Sequence, residues 1–118
     1  MGDQSGATGN ALESQIQSKA FINLWNSRPE LRRRVFSINN NSQNRIKGAI
    51  NKAMGTVDGV SDMAYLIQGS VVWIEWKTQT GTQKPAQKEF QKLVETMGML
   101  YVIVRSEEEF LAVINLYA

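Results

Sequence analysis

The chain has 118 residues, an apolar fraction of 42%, 20% charged residues and a formal net charge of +2, which is the profile of one globular domain built on a single core. It contains neither cysteine nor histidine, which excludes disulfides, thiolate chemistry, Ser-His-Asp hydrolysis and metals held by His or Cys. Any catalysis has to run on carboxylates, Lys, Ser, Thr or Tyr. No apolar run approaches a membrane span and the N-terminus is polar, so neither an anchor nor a secretory signal is expected and the chain reads as cytoplasmic.

Residues 1–10 are rich in Gly, Ser and Asn and read as a flexible tail, leaving 11–118 as the domain. Asn10 is placed to cap a first helix, with Glu13 three residues later in capping-box position. Leu12, Ile16, Ala20 and Leu24 recur every four residues beside Phe21 and Trp25, which marks an apolar helical face. Arg28-Pro29 interrupts that helix. Arg32, Arg33 and Arg34 follow, before a short strand over 35–38; three such arginines either offset the negative end of a helix or contact phosphates. A polar loop, Asn39-Asn40-Asn41-Ser42, leads to a helix over 44–54 with Ile46, Ala49, Ile50 and Ala53 on one side and Arg45, Lys47 and Lys52 elsewhere. Gly55 ends it.

The stretch 59–77 is the most informative. Residues 62–67 and 71–77 are rich in β-branched and aromatic types and flank Gln68-Gly69-Ser70, so they read as a hairpin. With Gln68-Gly69 as a two-residue loop, Asp62 falls opposite Glu75. With Gly69-Ser70 as the loop, it falls opposite Lys77. Opposed residues share a face, as do residues two apart on a strand. Either register therefore puts Asp62, Glu75 and Lys77 on one face and turns Ile74 and Trp76 to the other, into a core. Two carboxylates about 5 Å apart at Cβ raise one another's pKa unless a cation lies between them. Mg²⁺ takes one or two carboxylates and fills its remaining positions with water and phosphate oxygens. Lys77 would then stand beside the attacking water, and the set suits metal-assisted phosphodiester hydrolysis. Asp58 sits in the preceding turn, where a hydrogen-bonded Asx turn is its expected role.

After the Glu-x-Lys strand comes a polar loop, 78–84, at the strand end where substrate should sit. Its Lys84 can reach a phosphate, although the spacing of a P-loop is missing. Pro85 suits the first position of a helix whose apolar face is Ala86, Phe90, Leu93, Val94 and Met97. Gly98 ends it. Gln87 lies in the first turn and can reach back towards the strand end. Leu100–Val104 is a continuous apolar strand, expected to run parallel to 71–77 because a helix connects them. Ser106 with Glu109 is a second capping box, opening a terminal helix whose Phe110, Val113, Ile114 and Tyr117 face inward.

Taken in order, Gly59-Val60-Ser61-Asp62, the hairpin, Ile74-Glu75-Trp76-Lys77, Gln87 at a helix start, and Val102-Ile103-Val104-Arg105-Ser106 resemble the VRR-NUC family of the PD-(D/E)xK nuclease superfamily. The motifs span the chain from about Leu12 onward. Ser61 stands where that family has Pro, which changes a backbone restraint and removes no ligand. The resemblance implies an α/β, restriction-endonuclease-like core with a central mixed sheet, and a Mg²⁺- or Mn²⁺-dependent DNA endonuclease with no small-molecule cofactor. Asp62, Glu75 and the Trp76 backbone carbonyl would hold the metal, with Glu13 of the first helix contributing. Lys77 would position or activate the water, and Gln87 would support the site. Arg32, Arg33, Arg34, Asn40 (or a neighbour within 39–41), Arg45 and Lys84 are the expected DNA contacts. The resemblance further implies a phage-type homodimer acting on branched DNA such as a Holliday junction. The rival reading is a non-catalytic module that keeps this fold to bind nucleic acid or protein; two close carboxylates have no physical purpose there.

Overall fold

The structure, a computed structural model, describes residues 5–39 and 45–118, with side chains over 12–39 and 46–118. Helix α1 (Ser5–Ser27) is followed by a 3₁₀ turn (Pro29–Leu31), strand β1 (Val35–Ser37), helix α2 (Arg45–Ala53), the hairpin β2 (Met63–Ile67) and β3 (Ser70–Trp76), helix α3 (Pro85–Thr96), strand β4 (Leu100–Val104) and helix α4 (Glu107–Tyr117). The four strands form one mixed sheet in the order β1-β2-β3-β4, antiparallel until the last pair, which is parallel. None of the helices among the described residues is long and apolar enough to cross a membrane.

The hairpin settles the register left open by the sequence. Ile67 pairs with Ser70 and Met63 with Ile74, so the loop is Gln68-Gly69, with Gly69 at φ +77°. This registration sorts the residues of β3 by parity. Val72, Ile74 and Trp76 go to the core beside Met63 and Tyr65, where the Trp76 ring lies 5.1 Å from Phe110 of α4. The Tyr65 hydroxyl donates to the Ile114 carbonyl at 3.0 Å, so the one polar atom this ring takes inside is satisfied. Ala20 and Leu24 of α1 complete that layer. On the opposite sheet face, α3 lies over Trp73, whose ring meets Phe90 edge-on at 5.1 Å.

Helix α1 begins at Ser5, so Asn10 lies inside it and does not cap it. Nucleation is the costly step, and an existing helix extends through indifferent residues at one hydrogen bond apiece. Ser106 does cap α4, accepting from the Glu109 N–H at 3.1 Å, but Glu109 returns its carboxylate to the Arg105 N–H at 2.7 Å, one residue earlier than a capping box requires. Apolar periodicity also overstated some packing: Ile46 and Ile50 of α2, Leu93 of α3 and Met97 at its C-cap are all exposed. Asp58 lies 3.8 Å from Lys52 on the surface.

Candidate functional site

Asp62 precedes β2 by one residue, and continuing the Met63–Ile74 pairing sets it opposite Glu75. Its place is fixed from both directions. The Asp62 carbonyl accepts from the Ile38 N–H at 2.8 Å, and its side-chain Oδ2 accepts from the Trp76 N–H at 2.7 Å. Upstream, Gly59 sits at φ +84°, and a Cβ there would run into the Ala86 carbonyl at the start of α3. Only glycine satisfies both the left-handed backbone and that close approach, so this turn seats the Asp62 end of β2 against α3.

Glu75 and Lys77 sit deep at the carboxyl end of β3, exposing 1% and 6% of their surfaces. The Lys77 N–H bonds the Val104 carbonyl at 3.0 Å, which carries the β3–β4 pairing one residue past the strand and keeps Lys77 on Glu75's face. Its Nζ lies 3.4 Å from Glu75 Oε2. The other carboxylate oxygen, Oε1, accepts from the Tyr101 hydroxyl at 2.7 Å. Glu13 enters from α1, where its carboxylate comes near the Thr78 backbone and its charge interacts with those of Lys77, Asp62 and Lys84.

Burial dominates the electrostatics. Desolvation is the largest influence on Asp62, Glu75 and Glu13 and raises the pKa of all three. The Asp62 charge pushes Glu75 and Glu13 further up, while Lys77 opposes the rise in each of the three carboxyls. A divalent cation placed between such raised carboxyls would favour their ionised forms. Among the described residues no three acidic groups converge as a cage for an ion. The two that could hold one together are Asp62 and Glu75, a pair sufficient for an ion that keeps several waters, as Mg²⁺ does.

The loop after Lys77 is pinned by Arg105. The Arg105 Nη1 donates to the carbonyls of Thr78 at 2.6 Å, Gly81 at 2.7 Å and Gln79 at 3.4 Å, satisfying backbone acceptors that a loop leaves open. The positive charge thus goes to folding the loop. Gly81 in turn lies against the Lys77 stem. Sequence reasoning quoted Arg105 as part of a motif and gave it no role. It missed Tyr101 and Gln83 as well, and weighed Ser61 only for its backbone. Ser61 is wholly buried, its hydroxyl beside the Tyr101 phenol but without a partner in hydrogen-bond geometry.

Other expected residues are placed differently. The Gln87 Oε1 accepts from the Lys84 N–H at 2.8 Å, so in this structure the side chain caps its own helix and does not reach the carboxylates. Lys84 is exposed at the head of α3. Arg32, Arg33 and Arg34 lie beyond the Val35–Tyr65 pair, at the end of the sheet away from Asp62. Two of them hold local structure: Arg32 donates to the Trp25 carbonyl and stacks on that indole, and Arg34 donates to the Leu66 carbonyl and covers the Tyr65 ring. Arg33 adopts a left-handed φ of +73°. Asn40 and the Arg45 side chain lie outside the described residues.

The sequence matches no family model and no curated protein. Among solved structures it is similar to one described as a "VRR_NUC domain protein", with a TM-score of 0.72 and 22% identity over 89% of this chain and 86% of the other. The likeness shows a common fold, an α/β restriction-endonuclease-like core with a four-stranded mixed sheet.

Proposed function

We propose that this chain is a Mg²⁺- or Mn²⁺-dependent DNA endonuclease of the VRR-NUC type. The observation that carries the reading is the charged trio gathered where β2 begins and β3 ends: Asp62, half-buried, opposite Glu75, with Lys77 3.4 Å from Glu75. When bound, the divalent ion would polarise the scissile phosphate and make water a stronger acid. Asp62 and Glu75 would hold that ion. An extended residue presents its N–H and C=O to the same neighbouring strand, and the Trp76 N–H is already on Asp62, so the Trp76 carbonyl faces the same side and would serve as a third oxygen donor.

Lys77 has its Nζ tethered beside Glu75, where it donates to the attacking water or to a phosphate oxygen and offsets the charge that develops there. Glu13, whose charge interacts with those of Lys77 and Asp62, stands ready to orient a water from the α1 side. Gln87 acts indirectly, by ordering the backbone at Lys84, and Lys84 meets the phosphate backbone. A homodimer would present two such centres to two strands related by a two-fold axis, the arrangement suited to a four-way junction.

The test is cleavage of a labelled four-way junction and a matched linear duplex in Mg²⁺, Mn²⁺ or EDTA, with Glu75→Ala and Lys77→Ala proteins alongside. Metal-dependent paired cuts in the junction, lost in both variants, are the expected result. Equal cutting of both substrates would keep the nuclease and discard junction selectivity. Tight binding without any cutting would favour the non-catalytic module.

A further inference from the structure

Behind Glu75 runs a chain of hydrogen bonds that the proposed chemistry does not use. Tyr101 is on β4, and the parallel register pairs Trp73 with Tyr101 and Glu75 with Ile103. Tyr101 therefore shares Glu75's sheet face, one neighbouring strand away. Its hydroxyl donates to Glu75 Oε1 at 2.7 Å. An ionised carboxylate only accepts, so the phenolic proton is committed to Glu75 and the phenol oxygen needs a donor of its own. Gln83 supplies it: its Nε2 lies 3.1 Å from the Tyr101 oxygen and 3.0 Å from Gln91 Oε1 on α3. Both amide protons are then used, which fixes the orientation of the Gln83 amide. Gln91 is itself held by Glu95 at 3.2 Å.

We infer that Tyr101, oriented by Gln83, is a positioning residue that locks the Glu75 carboxylate in the rotamer that holds the divalent ion. The polarity of the chain favours this. A phenol that accepts from an amide donates more strongly, and here it donates to the carboxylate that would hold the ion. Lys77 grips Oε2 and Tyr101 grips Oε1, so the plane of the carboxylate is set, and each oxygen keeps a second lone pair for the ion facing Asp62. The chain also links that plane to α3, through Gln91 and Glu95. Groups that orient metal-holding carboxylates typically change metal affinity about 10- to 100-fold when removed. The inference rests on the metal-site reading above.

The test is Mn²⁺ binding without DNA, followed as loss of the free-ion signal by electron paramagnetic resonance, for wild type, Tyr101→Phe and Gln83→Leu. Tyr101→Phe keeps the ring and is expected to weaken Mn²⁺ binding about 10-fold. Gln83→Leu should weaken it by a smaller factor. In cleavage assays the Mn²⁺ midpoint of Tyr101→Phe should rise by the same factor, with the KM for DNA unmoved and kcat recovering at saturating Mn²⁺. A general packing defect would move the KM and kcat too. Wild-type Mn²⁺ affinity in folded Tyr101→Phe overturns the inference and leaves the nuclease intact. Absence of Mn²⁺ binding in wild type overturns both.

Discussion

Strand β3 carries two different proteins' worth of chemistry on its alternate residues. Val72, Ile74 and Trp76 face the layer formed by α1 and α4, where burial is favourable for each side chain independently and shape decides the outcome. Glu75 and, just past the strand, Lys77 face the other way and are as deeply buried, yet their burial is unfavourable unless each charge keeps its partners. Burial alone is therefore no guide to what a residue does in this chain. On one face it stabilises the fold; on the other it raises the carboxyls.

The largest expected effect separates the two faces. Asp62→Asn keeps an oxygen for the Trp76 N–H but removes a charge that burial disfavours. Cleavage should fall about 10³-fold, the scale of a lost charge-stabilising group, while the thermal midpoint in EDTA stays level or rises. Ile74→Ala should behave oppositely. It leaves the charged trio in place and opens a core cavity, costing about 2–5 kcal/mol of stability in denaturant titration, with activity per folded molecule retained.

Gly59→Ala should damage both faces at once. A non-glycine residue held at that φ costs about 1–3 kcal/mol, and the clash with the Ala86 carbonyl adds to it. The displaced turn carries Asp62 with it, so stability and cleavage should fall together, as a thermal melt and an assay on the same sample would show.

The pH response sharpens the contrast further. Asp62 and Glu75 have ordinary values of 3.8 and 4.5 that burial raises in the folded state, so the folded protein holds its protons to higher pH than the unfolded chain. The stability this confers is complete below the ordinary values and is lost as pH rises through the raised ones. Melts in EDTA should decline across that rise, Mn²⁺ should oppose the decline because the ion replaces the protons, and Asp62→Asn should flatten it. The smallest effect is at Lys84, where alanine should reduce the slope of log K for DNA against log salt by about 1 and leave stability alone.

Much of this was legible in the sequence, for reasons particular to each element. The Asp62, Glu75 and Lys77 face followed from strand parity, which survives either choice of loop. The parallel β4 followed from the intervening helix. Tyr101 was not legible, because its meeting with Glu75 depends on the parallel register, which no local pattern encodes. Nor was the Arg105 clamp, which joins a strand end to a loop 24 to 27 residues earlier. The apolar residues of α2 announced a helix correctly, but periodicity does not say whether anything covers them, and Ile46 is 72% exposed. For Arg32 and Arg34 the sequence left a helix-end role and a phosphate contact equally open, and the partners they have here, a carbonyl and an aromatic ring each, exist only in the folded chain.

The central claim is that Asp62 and Glu75 together hold a divalent ion beside Lys77. Anomalous diffraction from crystals soaked in Mn²⁺ tests it most directly. A single strong peak within coordination distance of both carboxylates, absent from Asp62→Asn crystals, is the predicted result. A peak elsewhere on the molecule, or a wild-type site that stays empty at millimolar Mn²⁺, would contradict it.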